Sequence, residues 1–366
     1  MPDGRPAETV RGAFRRQAKA CEQLGSPFTA RLCRLAADCL NEKTAVGCRV
    51  LSWPGDPSAD GDALALRLFG ALHALVLLHR DEELQGCYPP NHADDAALWS
   101  ACEGALARHA DFIIERLGSA PQTNEVRRSG ALLPGFLTIA HLFGMPLVLS
   151  EIGASAGLNL HWDRYRYALP NGDWGDETSA VVIAPDWAGR PPPIGPIDIV
   201  ERAGCDLNPL NPADENDRLL LLSYIWADQL DRLDRTRKAL DIAASEARLV
   251  ERAEAIDWLK VRLATSFPGA VHVIYHSVAW QYLPATAQRQ GEALISAAGV
   301  AATDEAPIAR LQMQTAKRPE RHCRSRYGRA VKSTSSVAPT STADGSHGKA
   351  GRQAADCDSV TRHIRA

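Results

Sequence analysis

The chain has nine cysteines but no C-x-x-C pair. Their spacing suits neither a zinc site nor a disulfide framework, so they are expected to be reduced thiols. Cys33 and Cys102 fall on apolar helix faces and read as core filler. No window approaches the roughly 18 to 20 uninterrupted apolar residues of a membrane span. The first eleven residues carry Asp3, Arg5, Glu8 and Arg11 with no apolar run, so no secretory signal is expected there. These absences argue against an integral membrane or exported protein and predict a cytoplasmic one. No internal repeat is visible. What is present is 366 residues, 45% hydrophobic and 23% charged, the make-up of a globular chain with room for two domains.

Residues 315–366 lack Leu, Phe and Trp altogether. Such a segment buries too little apolar surface to offset its conformational entropy, which predicts disorder. The charge changes at the same place: the tail holds eleven of the 41 basic residues and only four of the 44 acidic ones. This abrupt switch, and the wealth of Arg, Ser, Ala and Gly, resemble translation in a shifted reading frame. Apart from Tyr327 no aromatic residue is interleaved with the basic ones. Only non-specific attraction to phosphates is expected from the tail, and no specific nucleic-acid partner.

Residues 1–144 read as an all-helical region. Val10, Phe14, Ala18, Cys21 and Leu24 recur at helical spacing, and Gly25 is placed to end that helix. Ser26-Pro27 supplies a cap and a proline for the first turn of the next. Residues 62–80 are apolar nearly all round, which predicts a buried central helix. Leu98, Cys102, Leu106, His109, Ile113 and Leu117 mark a fourth helix, and a fifth is expected over about 125–143. The period changes at Gly144. Leu147–Glu151, Ile197–Val200 and Val271–His276 read as strands, with a long helical stretch over 213–245, a helix over 285–298 and a strand over 308–313. Residues 160–196, with Asn171-Gly172 and three consecutive prolines, look like an insertion carrying a hairpin. Alternating strands and helices over 145–314 predict a Rossmann-like α/β domain with a parallel, doubly wound sheet.

Glu151-Ile152-Gly153-Ala154-Ser155-Ala156-Gly157-Leu158-Asn159 is the most informative segment. A strand enters a turn of small residues, where a backbone can approach an anionic ligand at a helix N-terminus. There is no Gly-Lys-Ser/Thr, which excludes a phosphate loop, and no G-x-G-x-x-G for a nicotinamide cofactor. The turn does match G-x-S-x-G, the nucleophile elbow of serine hydrolases, with Ser155 as nucleophile. Three features oppose that reading: helices rather than strands precede the turn, no H-G-G-G segment lies upstream, and an acid, Glu151, occupies the strand.

The same residues read as the first motif of an S-adenosylmethionine-dependent methyltransferase, with Glu151, Gly153, Ser155 and Gly157 at the cofactor. Cys205-Asp206 then resembles the end of the second strand, whose acid accepts hydrogen bonds from ribose hydroxyls. Glu254 to Leu259 resembles the third-strand segment, with Glu254 or Asp257 on the adenine side. His276 to Leu283 resembles the segment after the fourth strand. There His276 is the candidate base, and Trp280 and Tyr282 face cofactor or substrate. The polar run Gln122-Thr123-Asn124 caps the fifth helix or lies over the pocket. The four segments occur in the required order. No Asn-Pro-Pro-aromatic motif follows the fourth strand, so amino methylation of nucleic-acid bases is disfavoured.

Several of these stretches, with Gly25-Ser26-Pro27, Gln122 to Val126, Asp163 to Tyr167, Gly204 to Pro209 and His276 to Pro284, resemble a bacterial family known as domain of unknown function 2332. The resemblance runs from Phe14 to Gln314. It implies a family without implying an activity, so the methyltransferase reading rests on the residues alone. The competing expectation is a non-catalytic scaffold that keeps the fold for ligand binding or interaction.

Overall fold

The computed structural model describes residues 5–187, 189–246, 249–315, 321–327 and 335–337. Eight helices precede the first strand: α1 (Arg5–Gln23), α2 (Pro27–Cys39), α3 (Ala45–Leu51), α4 (Leu64–Leu77), α5 (Glu82–Cys87), α6 (Asp95–Arg108), α7 (Ala110–Leu117) and α8 (Arg128–Phe143). The junction of α1 and α2 follows the local code. Gly25 takes a φ of +83°, Ser26 accepts the Thr29 N–H, and Pro27 opens α2. Val10, Phe14, Ala18 and Cys21 form the buried face of α1, while Leu24, beyond the helix end, is 55% exposed. The central helix α4 is buried as its all-round apolar sequence requires. The single helix expected over 98–117 is two. His109 breaks it, and its ring, like the Arg108 guanidinium, is drawn to the buried Asp81 carboxylate. Short helices α3 and α5 were not anticipated, although each has a side-chain cap, Thr44 and Asp81.

The later elements are β1 (Leu147–Ile152), β2 (Arg166–Leu169), β3 (Gly172–Gly175), β4 (Val182–Ile183), β5 (Ile199–Asp206), α9 (Glu215–Ser223), α10 (Leu230–Ala244), β6 (Val250–Arg252), α11 (Ala255–Ala264), β7 (Val271–Ser277), α12 (Ala285–Ala301), β8 (Ile308–Thr315), β9 (Arg321–Tyr327) and β10 (Ser335–Val337). The long helical stretch expected over 213–245 is thus α9 and α10, separated by a turn.

The chain forms two compact units. Among the described residues, the helical unit comprises those up to Thr123 together with Asp214–Arg237, and the sheet unit comprises Asn124–Ala213 and those from Lys238 onward. The division therefore falls before α8, not at 144. Helix α8 belongs with the sheet because its small and aromatic residues pack there: a Cβ at Gly135 would overlap Leu311 of β8. The core of the helical unit is built on Phe14, Leu32, Leu64, Leu68 and Leu72, all buried.

The main sheet runs β10-β9-β8-β7-β1-β5-β6. Strands β8, β7, β1, β5 and β6 are mutually parallel. Strands β1 and β7 are buried along their whole length, as central strands covered on both faces should be. The architecture is α/β and Rossmann-like. The 160–196 insertion carries the expected hairpin, β2 against β3 at Asn171-Gly172, with β4 parallel to β2 in a separate small sheet. Its aromatics are packing: Trp162 stacks on Phe136 with ring centres 4.3 Å apart, and Trp162, Tyr165 and Tyr167 are buried.

Strands also follow β8, where none was expected. Strand β9 pairs antiparallel with β8 from Ala309↔Tyr327 to Thr315↔Arg321, and β10 pairs antiparallel with β9. A paired edge counts against a shifted reading frame. The rest of 315–366, and with it the expected disorder, lies outside the described residues. No helix among the described residues is long and apolar enough to cross a membrane.

Candidate functional site

From β1 the chain winds outward through β5 to β6, then returns to the other side of β1 for β7 and β8. The winding reverses between β1 and β7. In open α/β sheets the crevice beyond the carboxyl ends of the strands at this reversal is where ligands bind. Two loops meet that description, Gly153–Gly157 after β1 and Val278–Tyr282 after β7.

The first loop is tightly tied to β5. The Gly153 and Ala154 N–H groups donate to the Cys205 carbonyl at 2.9 and 3.0 Å, and the Ser155 N–H donates to Asp206 Oδ2 at 2.9 Å. Gly153, Ser155 and Gly157 all have positive φ, +70°, +56° and +74°. Ser155 adopts this left-handed form without being glycine, at a cost of roughly 1–2 kcal/mol. Glycine is required at 153 by the protein itself, since a Cβ there would overlap Ala279 of the second loop. The two loops therefore touch where the winding reverses. Val278 in the second loop also has a positive φ, +71°.

Beneath the turn lies a polar foundation. Glu151 is wholly buried at the end of β1, and burial pushes its carboxyl well above the usual carboxylate range. The Tyr275 hydroxyl lies 3.0 Å from the Asn159 carbonyl, which can only accept, so it donates there. It also lies 3.4 Å from Glu151 Oε2, a contact that favours the carboxylate form but is outweighed by burial. Glu151 Oε1 and Asn159 Oδ1 are buried without a hydrogen-bond partner among the described residues. Arg128 of α8 donates to the Ser277 carbonyl at 3.2 Å, and its charge favours ionisation of Glu151 without overcoming burial. Glu151 thus supports the turn from below.

Asn124 is the clasp on this turn. Its Oδ1 accepts the Leu158 N–H at 2.9 Å, and the Tyr165 hydroxyl donates to the Leu158 carbonyl at 2.6 Å. Replacing Asn124 with Ala leaves a buried N–H unsatisfied. We expect a loss of about 1–3 kcal/mol, with faster hydrogen exchange at Leu158. Unchanged exchange there would contradict the clasp.

The remaining expected residues divide. Asp206 ends β5 half-buried, each carboxylate oxygen accepting one backbone N–H, from Ser155 and from Asn208. Each oxygen keeps a further lone pair. Glu254 lies beyond the third strand: it caps α11, with Oε2 accepting the Ile256 and Asp257 N–H groups at 2.7 and 3.2 Å. Asp257 is exposed in the first turn of α11 and pairs with Lys260 at 2.7 Å. The 254–259 segment is helical because an acid two residues beyond a short strand makes a good N-cap. Gln122 and Thr123 end the helical unit, whereas Asn124 begins the sheet unit.

His276 is buried in β7, stacked on Trp280 with ring centres 5.3 Å apart. Burial, aided by the Arg310 charge, pushes it down to about 3. Trp280 is buried and Arg310 lies over its ring at 4.8 Å, while Arg310 pairs with Glu292 at 2.5 Å. Tyr282 is 78% exposed. Sequence reasoning missed Tyr275, Asn159, Arg128 and Arg310. Asn159 stood at the end of the glycine-turn motif and Tyr275 in the strand read over 271–276, but nothing in a sequence tells which strand residues meet a neighbouring loop. Among the described residues no group of three or more His, Cys, Asp and Glu is placed to hold a metal.

The model of a family described as an uncharacterized protein conserved in bacteria matches residues 11–352, well into the tail. No curated protein and no solved structure matches the chain.

Proposed function

The chain belongs to this bacterial family, domain of unknown function 2332, and from the site's geometry we propose that its sheet unit binds S-adenosylmethionine and transfers the methyl group to an acceptor. The observation that carries the reading is the glycine turn at the winding reversal beside a carboxylate at the end of the adjacent strand. That is the arrangement in which a nucleoside-bearing cofactor is held in a doubly wound sheet. The backbone of Gly153 to Gly157 would face the cofactor, and the outward lone pairs of Asp206 would accept from ribose hydroxyls. Glu254 would approach the adenine side through Oε1. Glu151 would act only by holding the turn.

The bound cofactor would supply an activated methyl group with its leaving group already in place. The protein's part is then to align the acceptor and exclude water. An acceptor that loses a proton needs a base, and His276 is neutral and adjacent to the second loop. Trp280 and Tyr282 would border the acceptor.

Titration calorimetry with S-adenosylhomocysteine tests the reading. Binding is expected, and Asp206→Ala should weaken it by about 1–3 kcal/mol. No heat and no thermal shift at millimolar ligand would leave the scaffold reading in its place. One observation favours a hydrolase: Ser155 has the positive φ of a residue at a sharp strand-to-helix turn. Against it, Ser155 is buried, and His272 and His161 face Ser150 and Glu246. Labelling of Ser155 by a fluorophosphonate probe would restore it.

A further inference from the structure

The amino ends of β7 and β8 and the carboxyl ends of α11 and α12 border a cavity of about 200 Å³. Every residue that lines it belongs to the sheet unit. It lies at the end of the strands opposite the two loops of the candidate site, so it is independent of the cofactor reading. Its wall is mostly apolar, with Leu263, Phe267, Ala298 and Ile308. Thr265 and Ser266 bring hydroxyls to the exposed rim. No Asp, Glu, Lys or Arg among the described residues lines it, and the titratable side chain in its wall is His272.

His272 is 3% exposed, and its neighbours fix where its proton sits. The Arg262 Nε–H donates to the Ser150 Oγ at 2.8 Å, and His272 Nε2 is the other partner of that hydroxyl, also at 2.8 Å. Ser150 is wholly buried, so its own proton needs an acceptor. Nε2 is the acceptor it meets, which leaves the proton of the neutral imidazole on Nδ1. Burial, aided by the Arg262 charge, pushes His272 down to about 3, so the ring is neutral at pH 7. Nδ1 has no hydrogen-bond partner among the described residues, yet it is not sealed from the surface as both nitrogens of His276 are. Phe267 holds the ring edge-on at 4.9 Å and is itself covered by the Arg262 guanidinium at 5.0 Å. The wall therefore presents one fixed, accessible N–H donor for which the protein supplies no acceptor. An apolar cavity of roughly 150 Å³ takes up benzene, so this one has room for a six-membered ring with a short polar substituent.

We infer that this cavity binds a small uncharged carbonyl compound, whose oxygen accepts the His272 Nδ1–H at the inner end while its hydrocarbon part packs on the apolar wall. An anion is disfavoured because no cation lines the wall, and Arg262 behind it is already paired with Glu201 at 2.6 Å. A cation is disfavoured because the wall holds no carboxylate and offers a donor. The rim hydroxyls admit a second polar group only at the outer end.

Benzamide, benzoate and benzene are the probes, with binding followed by saturation-transfer NMR on the full chain. Benzamide and benzene are expected to bind at millimolar concentration, and benzoate about tenfold more weakly than benzamide. His272→Phe keeps a ring in the wall but removes the donor, and should weaken benzamide about fivefold while leaving benzene unchanged. Ala298→Leu, placed to fill the cavity, should abolish binding of both, with the circular dichroism spectrum retained. In the unliganded chain, NMR of isotope-labelled histidine should show the His272 proton on Nδ1. A proton on Nε2 overturns the proposal, and this measurement and Ala298→Leu decide it even if His272→Phe does not fold. Failure of benzamide to bind the wild-type chain, equal benzamide affinity in His272→Phe, unchanged binding in Ala298→Leu, or benzoate binding as tightly as benzamide would each overturn it too.

Discussion

The sheet unit should lose stability steeply as pH falls below about 6.5. Three of its histidines are buried and neutral: His272 and His276 are pushed down to about 3 and His161 to about 4, each first by burial. Their unfolded counterparts take up protons near pH 6.5. The stability they contribute is therefore present above that pH and is lost as pH falls toward their folded values. Glu151 works in the opposite direction. Its folded pKa is raised, so acidification relieves the cost of burying it and offsets one histidine. The net difference is about two protons near pH 5, a slope of roughly 2–3 kcal/mol per pH unit.

Urea unfolding followed by tryptophan fluorescence at pH 7.5, 6.5 and 5.5 measures this slope. His276→Gln should flatten it by about one proton, roughly 1.4 kcal/mol per pH unit. His272 has a different anchor. The Ser150 hydroxyl, 2.8 Å from its Nε2, also receives the Arg262 Nε–H at 2.8 Å, and Arg262 pairs with Glu201 at 2.6 Å. A midpoint that stays constant between pH 7.5 and 5.5 would show that these imidazoles are not held neutral.

Gly153→Ala should be among the most damaging single substitutions in the sheet unit. Its Cβ would overlap Ala279, and its φ is +70°. Overpacking costs about 1–3 kcal/mol, and the left-handed backbone adds about 1–2 kcal/mol. The loop after β1 would be pushed from the loop after β7, so the proposed binding of S-adenosylhomocysteine should be lost as well. Gly157→Ala is the control. Its φ is +74°, but its Cβ would meet the Val250 Cγ2 at 3.1 Å, a contact that a small shift relieves. It should show the backbone cost alone. If Gly153→Ala melts like the wild type, the two loops are less closely joined than the structure has them. If it is destabilised and yet binds S-adenosylhomocysteine with full affinity, the turn is not part of the proposed cofactor site.

Local physics made the helix ends at Gly25, Ser26 and Gly144, the all-round apolar α4, the alternation of β1, β5, β7 and β8 with helices, and the hairpin at Asn171-Gly172 readable from the chain. Each depends on residues within a few positions of one another: a left-handed glycine, a capping hydroxyl, an apolar period. The family resemblance was readable for the same reason, because its motifs are contiguous. The break at His109 was not, since the cause is Asp81, 28 positions away. Nor was the strand pairing of β9, where backbone hydrogen bonds to β8 act on a segment almost without apolar residues. The sequence alone also placed Glu151 and Asp206 in one motif series, one in the glycine turn and one as a ribose acceptor, both as cofactor contacts. Tertiary structure separated them. Glu151 points into a closed foundation where burial pushes its carboxyl well above the usual carboxylate range, while Asp206 ends an adjacent strand half in solvent with lone pairs to spare. A carboxyl group's chemistry is set by its dielectric surroundings and its partners, and those come from strands brought together across more than a hundred residues, as Tyr275 is brought to Glu151.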